Sequence, residues 1–362
     1  DRIVRLDRSG RITAIFPKPP AEGEDDSAGD PKAKLRRPEG VFVHDNGDVY
    51  VADTGSRRVA VFDRNGEFVR EYGTPDSELI PSTFIYSPSK VIVDQRGYMY
   101  IATKGGYQGL MLLTPDGSFA GFFGANKVPF DWLESWKRRF YTEEQLKEEQ
   151  TRLPGAITNM AIDREGFIYT VNRDMKTGQL RRLNYGGIDL LKDHNFAPWA
   201  GPLDRFSFAD VYSGSNGIMT VVEAAWGRIY QFDETGELIF RFGDDSVGSE
   251  RLGMFKRPTS VVTASDGTIY VADGELGLIQ RFKRTDYGEL VHRAIALAMK
   301  GKYAEAEPAW EEINRLNGMY DRAYYGMAKA AFQAGEFEEA MYEFEQGNDR
   351  TGYSESFWRL RM

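Results

Sequence analysis

The chain has 362 residues, enough for more than one domain, and its formal net charge of −9 argues against a nucleic-acid groove. It contains no cysteine, which excludes disulfides, thiol nucleophiles and thiolate metal sites. No run of about 18 apolar residues is present, so the sequence offers no membrane-spanning helix.

The first elements in the chain are two short segments with the alternation of β-strands. "RIVRLDRSG" begins at Arg2 and "RITAIF" ends at Phe16. Residues 17–37 are proline-rich, then acidic, then basic, which predicts a solvated loop without a core of its own. The two segments match the third and fourth strands of the repeat described next, so we expect two further strands upstream of Asp1.

A repeat with a period of about 50 residues organises the chain as far as residue 285. Its clearest segment begins with glycine, alternates apolar residues and ends on a polar residue, as in "GDVYVAD" and "GTIYVAD". Five copies end on Asp53, Thr103, Asn172, Glu223 and Asp273. Further apolar runs flank each copy across Gly, Asn or Asp turns, and such four-stranded units are typical of propeller blades. Five blades and the initial half blade predict a six-bladed ring.

The repeat resembles a known family. Residues 38–73 and 257–284 combine a proline-led apolar strand, a "VYVAD" or "IYVAD" strand and a following strand that ends on Phe. This pattern is similar to the NHL repeat, and the remaining blades match it more loosely. The resemblance covers residues 1–285 and implies an all-β, six-bladed NHL-type β-propeller whose first blade is incomplete.

Residues 125–153 interrupt the repeat with a predicted helical insertion. "FDWLESWKRRF" places Trp132, Trp136 and Phe140 at four-residue spacing on one helix face. One interpretation is that this face packs onto the propeller; the other is an aromatic contact surface for a sugar or a protein. Trp199 and Trp226 fall in loops expected on the same side of the ring.

From residue 286 the pattern becomes helical. Asp286 is the predicted N-cap of the first helix, with Glu289 completing a capping box. Gly301 and Gly335 lie 34 residues apart in two aligned segments, which resemble two tetratricopeptide (TPR) helix pairs. We therefore predict a TPR-like domain over 286–362. Helical spacing puts the following residues on the concave side of the second pair, where they could bind a partner peptide: Arg322, Tyr325, Lys329, Phe332 and Gln333.

The polar residues at the strand ends are the candidate chemistry of the propeller. These ends share the face that carries the channel mouth, so Asp53, Asn172, Glu223 and Asp273 could together hold Ca²⁺, an arrangement similar to gluconolactonase-like enzymes. The alternative is that each residue caps its own turn. Asp53 also begins "DTGS", the sequence of an aspartic protease loop, but no second such loop exists to complete the required dyad. Three histidines and no G-x-S-x-G motif argue against zinc and against nucleophilic catalysis.

The whole arrangement resembles a family of bacterial proteins, best known from Gram-positive sequences, that join an NHL propeller to a short TPR module. Members are exported or membrane-tethered and are encoded near carbohydrate-type ABC importers. The resemblance implies an extracytoplasmic, membrane-associated location. We predict a non-enzymatic scaffold that docks onto a membrane complex, such as the permease or accessory subunits of an ABC importer. Two alternatives stay open: a Ca²⁺-dependent lactonase or lyase at the channel mouth, and an oligosaccharide-binding module.

Overall fold

The computed structural model describes residues 1–19, 30–80, 84–106, 108–124, 156–173, 178–192, 194, 196, 207–214, 216–246 and 251–362. The chain divides into two compact units, one of Asp1–Val262 with Val271–Gln280 and the other of Thr263–Tyr270 with Arg281–Met362. The helical insertion predicted at 125–153 lies outside the described residues. Among the described helices, none is long and apolar enough to cross a membrane.

The first unit is a β-propeller of five blades preceded by a two-stranded half blade. The half blade pairs β1 (Ile3–Leu6) with β2 (Ile12–Phe16). The first two blades are four-stranded antiparallel meanders: β3 (Pro38–Val43), β4 (Val49–Asp53), β5 (Arg58–Phe62) and β6 (Phe68–Tyr72), then β7 (Pro88–Val93), β8 (Met99–Thr103), β9 (Leu110–Leu113) and β10 (Phe119–Phe123).

The remaining blades follow the same order. The third is β11 (Ile157–Ile162), β12 (Ile168–Asn172) and β13 (Leu180–Leu183), and the fourth is β14 (Phe208–Ser213), β15 (Met219–Glu223), β16 (Arg228–Phe232) and β17 (Leu238–Phe242). A short parallel pair, β18 (Asp244–Asp245) with β19 (Met254–Phe255), precedes the fifth blade of β20 (Pro258–Thr263), β21 (Ile269–Asp273) and β22 (Leu278–Phe282). The predicted propeller is thus confirmed, with five blades and one half blade in place of the expected six-bladed ring.

Successive blades pack through apolar faces. Ala52 and Val59 of the first blade contact Val91 and Val93 of the second, and equivalent clusters join the second to the third and the third to the fourth. The half blade covers the other face of the first blade through Phe16, which packs in the cluster around Phe62. The alternating pattern of each strand therefore buries both blade faces, as the repeat requires.

One edge of the ring is uncovered. The first strand of each blade is its inner strand, and the fourth residue of that strand packs against the preceding blade. In four blades this residue is buried, with 2 to 6% of its surface exposed: Val91, Met160, Val211 and Val261. Its counterpart Val41 is 52% exposed. The half blade has only the two outer strands of a blade, so no inner strand covers Val41.

The fifth blade shows a matching exposed residue. Ile279 of β22 is 53% exposed, whereas its equivalents in the other blades are fully buried: Val59, Leu110, Leu180 and Ile229. Nothing in the described residues takes the place of a next inner strand beside it. The expected sixth blade is therefore represented by its outer half alone.

Hairpin turns between the third and fourth strands explain the many glycines of the chain. In the first blade, Oδ1 of Asp63 accepts backbone hydrogen bonds from Asn65 and Glu67 at 2.8 and 2.9 Å. Gly66 completes this turn with φ of +91°, a conformation that costs glycine least. The Asp-x-x-Gly spacing thus specifies the turn, and its recurrence keeps the blades in register.

The second unit contains five helices: α1 (Asp286–Met299), α2 (Tyr303–Leu316), α3 (Asp321–Ala334), α4 (Phe337–Gln346) and α5 (Arg350–Arg361). Each helix packs against the next one in the chain. Small residues set the spacing, since a Cβ on Gly326 of α3 would lie 2.4 Å from Nε1 of Trp310 in α2. Gly335 ends α3 in the left-handed conformation, as the helix-pair pattern predicts. The expected N-cap was wrong by one residue: Thr285 caps α1, because its extended backbone lets the hydroxyl accept from Gly288 N–H at 3.2 Å.

Candidate functional site at the channel mouth

Five polar residues end the second strands of the blades, and all five are buried. Asp53, Asn172 and Glu223 are completely inaccessible to solvent, and Thr103 and Asp273 nearly so. Their side chains therefore face the protein interior at the strand ends. Four of the five, all except Thr103, form hydrogen bonds with backbone groups there, and Asp53 also binds the side chain of Arg58.

Asp53 joins two segments of the first blade. Its Oδ1 accepts a hydrogen bond from Arg36 N–H at 2.6 Å, in the loop that enters β3. Its Oδ2 accepts from Nε of Arg58 at 2.9 Å. The Arg58 side chain is itself mostly buried and also binds Glu71 and the carbonyl of Lys34. Asp53 thus forms a structural ion pair, and none of the contacts of the described residues brings a second aspartate to it as a protease dyad requires.

Glu223 repeats this role in the fourth blade with backbone donors alone. Its carboxylate accepts from Ser207 N–H at 3.1 Å, before β14, and from Ala225 and Trp226 N–H at 2.9 and 2.8 Å, in the following turn. Burial raises the pKa of Glu223, although the three backbone donors oppose that shift. The group therefore links the loop that enters the blade to the turn after its second strand.

Asp273 does the same in the fifth blade. It accepts backbone hydrogen bonds from Lys256, Arg257, Glu275 and Leu276 at 2.7 to 3.0 Å. Burial acts to raise the pKa of Asp273, but the four backbone donors outweigh it and the pKa is lowered. In the third blade, Nδ2 of Asn172 donates to the carbonyl of Gly178 at 3.2 Å.

These contacts bear on the proposed Ca²⁺ ring. Calcium needs six to eight oxygen ligands directed at one point, whereas each carboxylate here is directed at N–H groups of its own blade. In the described ranges, no group of three or more His, Asp or Glu side chains could hold a metal ion. The ring of four metal ligands stays a prediction, without convergent oxygen atoms to support it.

In front of these strand ends lies a cavity of about 640 Å³. The second residue of each inner strand lines it: Glu39, Ser89, Thr158, Ala209 and Thr259. In the four blades whose register is defined, a β-bulge falls at this residue, between Pro38 and Gly40 in the first blade for example. A bulge redirects one side chain out of the regular alternation, which explains why successive blades all contribute to the cavity.

Four cationic side chains also line this cavity, and sequence reasoning missed them: Lys90, Lys104, Arg173 and Arg257. Lys104 and Arg173 directly follow the strand-end residues Thr103 and Asn172, where other blades have Thr, Ala or Gly. Aligning the blades one residue beyond the polar position would have shown this basic substitution. Lys90 and Arg257 carry no comparable signal, because the ring geometry alone brings them to the mouth.

The predicted aromatic residues lie in several places. Trp132, Trp136, Phe140 and Trp199 lie outside the described residues. Trp226 follows β15, is 40% exposed, and has the guanidinium of Arg228 at 5.4 Å from its ring centroid. A gathering of these rings on one face stays a prediction.

The predicted partner-binding residues of the helical unit lie on α3. Tyr325 is 44% exposed and packs edge-on against Phe344, with ring centroids 6.0 Å apart. Nζ of Lys329 lies 5.3 Å from the Tyr325 ring centroid and 5.6 Å from that of Phe344. Phe332 is half-buried and packs edge-on against Phe337, and Arg322 is also half-buried. The exposed Tyr325 and the half-buried Lys329 thus form an aromatic and cationic patch at the surface of α3.

Comparison with known proteins agrees with the repeat assignment. The NHL repeat family model matches residues 35–62, which include the inner three strands of the first blade. No curated protein matches the chain. The chain therefore contains an NHL repeat within a β-propeller.

Solved structures with a similar course of the chain include several propellers. Virginiamycin B lyase from Staphylococcus aureus is 13% identical, with a TM-score of 0.43 over 68% of this chain and 69% of that one. A streptogramin B lyase is 15% identical, with a TM-score of 0.46 over 78% and 76%. The WD40 propeller domain of Doa1 is 12% identical, with a TM-score of 0.43 over 68% and 63%. At these scores we draw no inference about activity.

Proposed function

We propose that this protein is a non-enzymatic scaffold that docks onto a partner through the exposed patch on α3. The observation that carries the proposal is the pairing of Tyr325 and Lys329 at the surface of the helical unit. Tyrosine is one of the residue types that are enriched at the positions contributing most to binding in protein interfaces. Tyrosine also loses little conformational entropy on binding, because it has only two side-chain torsions.

Other exposed side chains of the helical unit support the same proposal. Met319 precedes α3 and is 90% exposed, and Tyr342 of α4 and Trp358 of α5 are 59% and 64% exposed. Large apolar side chains at such exposure are individually common, but several on one small helical unit favour a contact surface. The sequence resemblance supplies the partner we favour, a permease or accessory subunit of a carbohydrate-type ABC importer at the extracytoplasmic side of a membrane.

The experiment is crosslinking in membranes that carry a tagged copy of the protein, followed by identification of importer subunits. Tyr325→Ala combined with Lys329→Glu should remove the crosslinked subunit. Lys302→Glu is the matched control, because Lys302 is exposed in the same unit and is ion-paired with Glu305 at 2.8 Å. Recovery of the subunit by the patch variant as efficiently as by the control would refute docking through α3.

Two alternative functions, one enzymatic and one in carbohydrate binding, each have a test of their own. A Ca²⁺-dependent lactonase or lyase requires bound metal in the purified protein, lost in Glu223→Ala and Asn172→Ala. An oligosaccharide-binding module requires saturable binding that Trp132→Ala or Trp136→Ala abolishes.

We also propose that a complete sixth blade forms the working ring. The exposure of Val41 and Ile279, where equivalent residues are buried, supports a further pair of strands beside β1. Hydrogen exchange at the Val41 amide tests the proposal. The exchange should be slower in a protein with a complete sixth blade than in this chain alone, and equal rates would contradict it.

A further inference from the structure

The channel-mouth cavity carries an excess of positive charge although the chain is acidic overall. Lys90, Lys104, Arg173 and Arg257 line it, and among the described residues one carboxylate lines it too, that of Glu39. Glu39 forms an ion pair with Lys104. This leaves three cations without a countercharge among the lining residues. A net charge of −9 makes such a local excess unexpected from composition alone.

In the described part of the chain, Lys90 has one electrostatic partner, the buried Asp210 carboxyl, whereas the side chains of Arg173 and Arg257 have none. No side-chain hydrogen bond or ion pair within these residues involves Lys90, Arg173 or Arg257. The nearest buried acid, Asp210, already accepts from Ser260 Oγ at 2.7 Å and from Val261 N–H at 2.8 Å. Lys90 is close enough to oppose the burial that raises the pKa of Asp210. Among the described residues, no acid therefore forms an ion pair with Lys90, Arg173 or Arg257.

The backbone under the two arginines is fixed. Arg173 N–H donates to Thr158 Oγ1 at 3.1 Å, and Arg173 bridges to Ser207 of the next blade. Arg257 N–H donates to the Asp273 carboxylate at 3.0 Å. The strand-end polar groups thus hold in place the loops that present the cations. Fixing a donor before binding lowers the entropy lost when a ligand arrives.

The neutral polar groups of the wall add donors. Thr158 Oγ1 accepts from Arg173 N–H, so its own hydroxyl proton is left to donate. Oδ1 of Asn159 accepts from Met160 N–H at 2.9 Å, which leaves the amide N–H₂ group of Asn159 as the donor. A wall of ammonium, guanidinium, hydroxyl and amide donors matches a ligand that consists mainly of acceptors.

Arg173 and Arg257 also border a second cavity of about 340 Å³, which adds Lys256 and Glu275 to the wall. Lys256 and Glu275 pair with each other at 2.7 Å. The two arginines therefore lie where the cavities adjoin and can be reached from both. Their forked guanidinium groups suit bidentate contact with carboxylate or phosphate oxygens.

We propose that the channel mouth binds a small anion with at least two carboxylate or phosphate groups, held by Lys90, Arg173 and Arg257. This site is independent of docking through α3. The cavity volume lies within the range of small-molecule sites, about 300 to 1,000 Å³. The bulged inner strands supply its floor and the strand-end loops its cationic rim.

Isothermal titration calorimetry at low salt tests the proposal with two probes, citrate for carboxylates and inorganic pyrophosphate for phosphate groups. At least one probe should bind saturably with one site and a Kd below about 1 mM. Arg173→Gln combined with Arg257→Gln should weaken that binding by at least about tenfold, because each lost contact involves a charged donor. Added salt should weaken it further. The probe that binds more tightly assigns the anionic group.

Arg64→Gln is the control, since it makes the same type of substitution, with loss of one positive charge, at an exposed residue in the turn between β5 and β6. It should bind as the unchanged protein does, and circular dichroism should show both variants folded. Glucose, a neutral polyol, should not bind saturably. The proposal is overturned if neither probe binds, or if the double variant binds the preferred probe as tightly as the Arg64→Gln control.

Discussion

Replacement of Asp53 by alanine should destabilise the propeller strongly. The Asp53 carboxylate is fully buried and joins the loop before β3 to the start of β5 through two short contacts, 2.6 Å to Arg36 N–H and 2.9 Å to Nε of Arg58. Asp53→Ala leaves the Arg36 donor and one face of the Arg58 guanidinium without acceptors in a space too confined for free hydration.

The size of the effect follows from what remains after the substitution. An unsatisfied buried donor costs about 1 to 3 kcal/mol, and breaking a buried ion pair costs about 3 to 5 kcal/mol. Arg58 keeps Glu71 and the carbonyl of Lys34 as partners, which places the loss toward the lower end. We expect the free energy of unfolding to fall by about 3 to 4 kcal/mol.

Urea unfolding followed by circular dichroism measures the change as a lower midpoint at unchanged slope. Glu71→Gln is the matched control, because it removes the other acidic partner of Arg58 where the side chain is 37% exposed. A partly exposed pair should contribute no more than about 1 kcal/mol. Equal midpoint shifts for the two variants, or a shift below about 1 kcal/mol for Asp53→Ala, would show that the strand-end carboxylate is not structural.

Three further predictions concern packing and protonation. Burial and the neighbouring Arg284 guanidinium lower the pKa of His292 from 6.5 to about 4, and Glu289 opposes this shift. Between these two pH values, His292 therefore takes up a proton in the unfolded chain but not in the folded chain. Stability of the helical unit should therefore fall, by up to about 3 kcal/mol, as the pH drops from 6.5 to 4, and urea midpoints of His292→Gln should show a flatter pH dependence. Gly326→Ala should lower the melting temperature through a clash with Trp310, at a cost of about 1 to 3 kcal/mol in the free energy of unfolding. Gly288→Ala is the control and should be neutral or stabilising, because its new Cβ would make only ordinary contacts at 3.5 Å. Equal effects of the two substitutions would refute the packing argument. Val91→Ala should cost about 2 kcal/mol or more in urea unfolding and Val41→Ala less than about 1, because only Val91 is covered by a neighbouring blade; a large loss at Val41 would refute the open edge.

The propeller could be predicted from the sequence because its signals are local and repeated. A strand that alternates apolar residues, a glycine at the turn and a polar residue at its end recur in five copies, and each copy folds in the same way. The helices of the second unit were equally accessible, since Gly301 and Gly335 recur 34 residues apart in two aligned helical segments. The number of blades was harder to predict, because closure of the ring depends on whether another strand covers Val41 and Ile279. The pattern of residues within one blade carries no information about this contact between blades.

The candidate site was harder to predict, because one residue type serves two purposes at a strand end. Aspartate and glutamate are ligands for calcium and are also caps for backbone N–H groups, and only the direction of the carboxylate distinguishes the two. Glu223 and Asp273 accept three and four backbone hydrogen bonds respectively, so their oxygen atoms are directed into their own blades. The basic residues carried no sequence signal of comparable strength, since Lys90 and Arg257 are far apart in the chain.

The acidic strand ends and the cationic mouth depend on each other. Asp273 holds the backbone of Arg257 and Thr158 that of Arg173, while both arginine side chains remain exposed beside the cavity. If Asp273 instead bound a metal ion, it would have to release the N–H groups of Lys256 and Arg257, and the loop that carries one wall of the cavity would lose its anchor. A buried acid directed at backbone donors and an exposed cation directed at solvent are therefore two parts of one arrangement. Asp273→Asn should accordingly weaken citrate or pyrophosphate binding together with stability, whereas Arg257→Gln should weaken binding alone. Calorimetry and urea unfolding on the same two variants separate these outcomes, and a loss of stability without any loss of binding in Asp273→Asn would refute the coupling.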